Sequence, residues 1–156
     1  MMRCFTAAVT FLVIASTEAC AAELRLPAVF ADHMILQREK PVPVWGWCDA
    51  GAKVTVQFAG QTKGAVADKS GRWTVRLDPM PASAEPRAMA ISSSADDGKR
   101  TINDILVGEV WLCSGQSNME MPVGFVPWSG GALNYEEEIR NSANPLIRQY
   151  LVDKQF

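Results

Sequence analysis

The chain has 156 residues, with 15 Lys and Arg against 17 Asp and Glu, for a net charge of −2. That near balance excludes a strongly basic nucleic-acid surface and a long acidic tail. One histidine and four cysteines, with no cysteine–histidine cluster, give no zinc-binding pattern.

Residues 1–21 read as a secretory signal peptide. Arg3 supplies the positive end, Phe5 to Ala15 the apolar stretch, and Ala19-Cys20-Ala21 the small residues before a cut. The apolar run falls short of the roughly 20 residues a spanning helix needs, so no integral membrane span is expected in the mature form. A lipid anchor on Cys20 is a weaker alternative, because Thr17-Glu18-Ala19 is a poor approach to it. The expected location is secreted or periplasmic. Cys48 and Cys113 remain in the mature chain, either paired or as two separate buried thiols.

From Glu23 to Ile105 the pattern is short strands and turns. Val42 to Trp47 alternates, and its prolines suit an edge strand. Val54 to Phe58 has period two with β-branched residues, and Gly60 turns it into a return strand over Thr62 to Val66. Asp68-Lys69-Ser70-Gly71 turns into Trp73 to Leu77. Pro79 to Pro86 reads as a loop, and Asp97-Gly98 as a hairpin turn between strands at Met89–Ile91 and Thr101–Ile105. Strands at this spacing without a long helix predict an all-β sandwich, jelly-roll-like, over residues 22–107.

The texture changes after Gly108. Glu109 to Cys113 reads as a buried strand, Asn134 as the cap of a helix through Arg140, and Ile147 to Val152 as a second strand. Strand, helix, strand is the opening of a parallel α/β sheet. Such a sheet is normally covered on both faces, which these elements cannot do. Residues 108–156 therefore read as the first part of a second domain in a longer protein. The alternative is a short protein whose tail packs on the β-module.

Between that strand and that helix stands Gly115-Gln116-Ser117-Asn118-Met119. A serine lifted off a strand tip by a glycine turn suits a nucleophile with backbone N–H groups nearby. Ser117 to Glu120 also fits a capping box, which would make the serine a helix cap. Gly115-Gln116-Ser117 is not the elbow of the α/β-hydrolases, since Met119 stands where a second glycine belongs.

The run Val107 to Glu120 resembles the first conserved block of the SGNH hydrolases, and within them the sialate O-acetylesterase family. Asp32-His33-Met34 adds specific support, and Gly46-Trp47 and Gly71-Arg72-Trp73 weaker support. The resemblance implies an exported carbohydrate esterase acting on an O-acetylated sugar or sialic acid, with no metal or organic cofactor. It implies that Ser117 attacks the acyl carbon and that its N–H donates to the oxyanion. Gly115 would allow the turn, and Gln116 and Asn118 would line or brace the site. The family's base lies in an Asp-x-x-His motif that this sequence lacks. The chain alone is therefore expected to be nearly inactive and to need the missing C-terminal hydrolase segment. His33 matches a β-module stretch and reads as a turn histidine, with Asp32 capping that turn. Trp45, Trp47, Trp73 and Trp111 read as core; Trp128, among prolines and glycines, is the candidate sugar contact. A non-catalytic glycan-binding module or remnant is the alternative function.

Overall fold

The computed structural model describes residues 23–95, 99–128 and 130–152. The signal peptide and the Asp97-Gly98 turn lie outside the described residues. The fold is mostly β. Among the described residues seven strands form in chain order: β1 Ile35–Gln37, β2 Val42–Trp47, β3 Lys53–Phe58, β4 Gln61–Val66, β5 Arg72–Leu77, β6 Ser83–Ser93 and β7 Lys99–Gly108. One sheet runs β1-β7-β6-β3-β4, and β2 pairs with β5 in a second. Of these pairs only β1 with β7 is parallel.

Alternating apolar residues explain how both sheets share one core. Val42 and Val44 on β2, Val54, Val56 and Phe58 on β3, and Trp73, Val75 and Leu77 on β5 all face inward. Met89 and Ile91 on β6 join them, with Ile102 and Ile105 on β7. Pro43 is tolerated because the only strand beside β2 among the described residues is β5, and the Arg25 bridge on its other side reaches Trp47, not Pro43. Between β4 and β5 a single carboxylate oxygen of Asp68 accepts from the Ser70 hydroxyl (2.6 Å) and from the N–H groups of Ser70 (2.8 Å) and Arg72 (3.0 Å). That is an Asx turn, closed by Gly71 at φ 79°.

β7 contains a bulge. Arg87 pairs with Ile105 but Met89 pairs with Ile102, so β7 holds three steps against two on β6. The extra residue lets Ile102 and Ile105 both face the core despite their odd spacing. It also puts Asp104 at φ 54°, a left-handed conformation that aspartate adopts more readily than most residues.

The structure corrects several sequence expectations. β6 begins at Ser83, inside the expected proline loop. Its pairing is irregular between Ser83 and Arg87, so Pro86 sits where the ladder is already broken. Glu109 to Cys113 and Ile147 to Val152 are not strands, and their apolar side chains are exposed. A parallel strand needs a neighbour to complete its hydrogen bonds, and none lies beside them among the described residues. Trp111 is accordingly 83% exposed, not core. The expected helix is present as α1, Tyr135–Asn141, but Asn134 makes no side-chain cap bond. Cys48 is buried and Cys113 exposed, and no disulfide joins the two.

Candidate active site

Ser117 opens a short 3-10 turn, Ser117–Glu120, and its side chain is exposed. Gln116, in extended conformation, precedes the turn, and no side-chain bond caps it. Ser117 is thus the first residue of the turn and not its N-cap. The Met119 N–H donates to the Gln116 carbonyl at 2.9 Å, closing the turn around the serine. The Ser117 amide lies at the N-terminal end of that turn, where an N–H has no partner within the helix. A Cβ on Gly115 would come within 2.8 Å of the Met119 side chain. Glycine there leaves room for Met119 to fold back over the turn.

Gln116 and Asn118 flank the serine and are exposed. Trp128 is 81% exposed. None of the described residues from 109 to 152 is buried. The serine therefore sits on a solvent-facing segment, with no enclosing pocket among the described residues.

His33 occupies a turn before β1, in left-handed conformation at φ 68°. Its Nδ1 is paired with the Asp104 carboxylate, and its backbone N–H donates to the Asn103 carbonyl at 3.1 Å. Asp32 does not cap this turn through its own backbone. Its carboxylate instead accepts the Asn103 N–H at 2.6 Å, joining the turn to the β7 bulge. Asp104 also takes Arg148, so its carboxyl is held below the usual range, first by the His33 bond and then by the Arg148 bond. Glu109 is similarly held down by Gln37 and Arg38. The sequence reading missed Asp104, Glu109 and Arg148. The available signal was Asn103-Asp104, two poor strand formers interrupting period two between Ile102 and Ile105.

No family model matches the chain. Rat sialate O-acetylesterase is 37% identical over 107 residues, which are 64% of this chain and 20% of the rat protein. The mouse sialate O-acetylesterase is 35% identical over 124 residues, 74% of this chain and 23% of its own length. The human one is 33% identical over 120 residues, 72% of this chain and 23% of its own length. Among solved structures, a carbohydrate acetylesterase from Xanthomonas citri superposes with a TM-score of 0.60 at 40% identity. That match covers 65% of this chain and 23% of the other. The chain thus spans between a fifth and a quarter of the length of these relatives. Over that shared stretch it belongs to a sialate O-acetylesterase-like family.

Proposed function

We propose that the chain is the N-terminal part of an exported carbohydrate O-acetylesterase of the SGNH type, with Ser117 as nucleophile. In this reading residues 22–107 are a jelly-roll-like sandwich and residues 108–156 begin the hydrolase domain. The Ser117 oxygen attacks the acetyl carbon and the sugar hydroxyl leaves. Water then attacks the acyl-serine, releasing acetate and restoring the hydroxyl. The Ser117 N–H donates to the oxyanion, while Gln116 and Asn118 brace the turn. O-Acetylated sugars, sialic acid among them, are the substrate class.

The observation that carries this reading is the exposed serine hydroxyl at the head of a tight turn, in a chain similar to esterases. A serine needs a base to lose its proton. The His33 side chain bonds to Asp104 through Nδ1 and makes no hydrogen bond to Ser117 among the described residues, and the sequence lacks the Asp-x-x-His motif. The chain alone is therefore a very weak esterase.

The test is a chimera. Residues 23–152 replace the matching part of the Xanthomonas citri carbohydrate acetylesterase, and aryl-acetate hydrolysis is followed. A folded, active chimera should lose roughly 10⁴–10⁶-fold in kcat on Ser117→Ala. Activity indifferent to that substitution defeats the proposal. The exposed Trp128 favours a second reading, glycan binding without chemistry. It predicts binding by the chain alone that survives Ser117→Ala and is lost in Trp128→Ala.

A further inference from the structure

The segment that carries Ser117 buries no side chain, yet polar contacts tie it to the β-module at both ends. At its start, Glu109 accepts from Arg38 Nε at 2.7 Å and from Gln37 Nε2 at 3.1 Å. The Val110 N–H donates to Gln37 Oε1 at 3.0 Å. These contacts fix the chain where it leaves β7 beside β1.

The far end is held by Arg148. One guanidinium nitrogen donates to the Asp104 carboxylate at 2.9 Å and another to the Asp104 backbone carbonyl. A guanidinium fork grips both groups of one residue in a fixed planar geometry, which a lysine ammonium lacks. The Arg148 side chain is only 17% exposed, on a segment that is otherwise open to solvent. The other Asp104 oxygen takes His33 Nδ1.

Asp104 is aimed this way by the bulge. A bulge re-aims a side chain that a regular strand would point elsewhere. Asp104 and its partner His33 are both in left-handed conformation, a concentration of backbone strain of the kind that marks functional positions. Four steps along the strand separate Asp104 from Gly108, about 13 Å. Both ends of the span from Val110 to Ile147 are therefore held along one short stretch of the β1–β7 pair.

We propose that Asp104 is a positioning residue: through Arg148 it seats the far end of the serine-bearing segment on the β-module, so that Ser117 is carried on a loop closed at both ends. Its relevance to catalysis rests on the reading of Ser117 as nucleophile, but the test does not use catalysis. The β-module thereby orients the reactive segment, beyond serving as an appended domain.

The experiment uses the full chain with Cys4, Cys20 and Cys113 replaced by serine and a nitroxide on the exposed site Leu146→Cys, two residues from Arg148; Cys48 is buried. Paramagnetic broadening of β-module amides reads where the segment sits. The native chain should show broadening confined to particular amides. Asp104→Asn keeps a residue that tolerates the left-handed conformation, and Arg148→Ala alters a residue outside the β-module. Each should lose the site-specific pattern, the double variant should lose no more, and Arg148→Lys should recover part of it. A native pattern persisting in Arg148→Ala, or no site-specific pattern in the native chain, overturns the proposal. If Asp104→Asn disturbs the bulge itself, Arg148→Ala decides alone. An esterase reading that failed would leave every one of these readouts in place.

Discussion

Gly46→Ala probes how the β-module is closed at its N-terminal edge. Arg25 and Trp47 exchange two backbone hydrogen bonds, at 2.8 and 2.9 Å, and so pin the described N-terminus against β2. A Cβ on Gly46 would lie 2.3 Å from the Arg25 carbonyl oxygen and 2.8 Å from Cζ2 of Trp73. Neither neighbour yields easily. The oxygen is committed to the bridge, and Trp73 is 1% exposed within the core. Breaking two backbone hydrogen bonds costs about 1 kcal/mol each, and overpacking a filled site adds about 1–3 kcal/mol. The sum is about 3–5 kcal/mol, which at about 4 °C per kcal/mol lowers the melting temperature by at least roughly 12 °C. Gly60→Ala is the control. Gly60 has φ 77° with nothing within 4 Å of its would-be Cβ, so it carries only the left-handed penalty of about 1–2 kcal/mol. Urea unfolding followed by near-UV circular dichroism compares the two variants. Gly46→Ala no less stable than Gly60→Ala would refute the packing argument.

Ser117→Ala should leave the unfolding midpoint within about 0.5 kcal/mol of native, because an exposed hydroxyl without packing contributes little to stability; a larger loss would show that the serine is scaffolding. Trp128→Ala should likewise leave stability unchanged, and in the chimera it should raise KM for an acetylated sugar more than for an aryl acetate. Equal effects on both substrates would remove Trp128 from sugar recognition. Asp68 has its carboxyl held below the ordinary range, first by the Ser70 hydroxyl and then by the backbone N–H groups of Arg72 and Ser70. A depressed folded pKa means that the unfolded chain binds the proton first. Its stabilisation is therefore complete above the ordinary carboxylate range and is lost as pH falls through the lower folded value. Asp68→Asn keeps the acceptor without the titration, so stability measured from about pH 5 down to about pH 2 should fall less steeply than in the native chain. Asp104 and Glu109, also depressed, retain their share of the slope. An identical slope in the variant would dissociate the Asx turn from acid sensitivity.

What was legible in the sequence follows from where the determining interactions lie. Val54 to Phe58 and Trp73 to Leu77 were readable because side-chain alternation is local and one buried face enforces it. The β3–β4 turn was readable at Gly60 for the same reason, since Ala59 and Gly60 both need positive φ. The bulge at Asp104 was not readable as a partner for His33. Its meaning depends on a residue 71 positions away in the chain. Glu109 to Cys113 failed for a related cause. An apolar run states that burial is favourable, but not which strand completes its backbone bonds. The turn at Ser117 was flagged by its glycine and by resemblance, whereas the contacts that hold its segment are long-range and polar.

The two parts of the chain are consequently stabilised by different physics. The β-module closes its backbone ladders internally and buries Trp73, Phe58, Met89 and Ile91 in one core. The segment after Gly108 buries nothing and is held by carboxylate contacts to Arg38, Gln37 and Arg148. The Arg38–Glu109 pair is exposed and the Arg148–Asp104 pair only partly buried; such pairs are individually weak and are screened by salt, the exposed one more strongly. Raising ionic strength should therefore loosen the serine segment while the β-module keeps its packing. In the Leu146→Cys spin-label measurement, site-specific broadening should fade with added salt, whereas β-module amide positions and the urea midpoint stay fixed. Melting of both together would mean that the segment contributes to the core after all, and that the division between a packed scaffold and a polar-tethered serine-bearing loop is wrong.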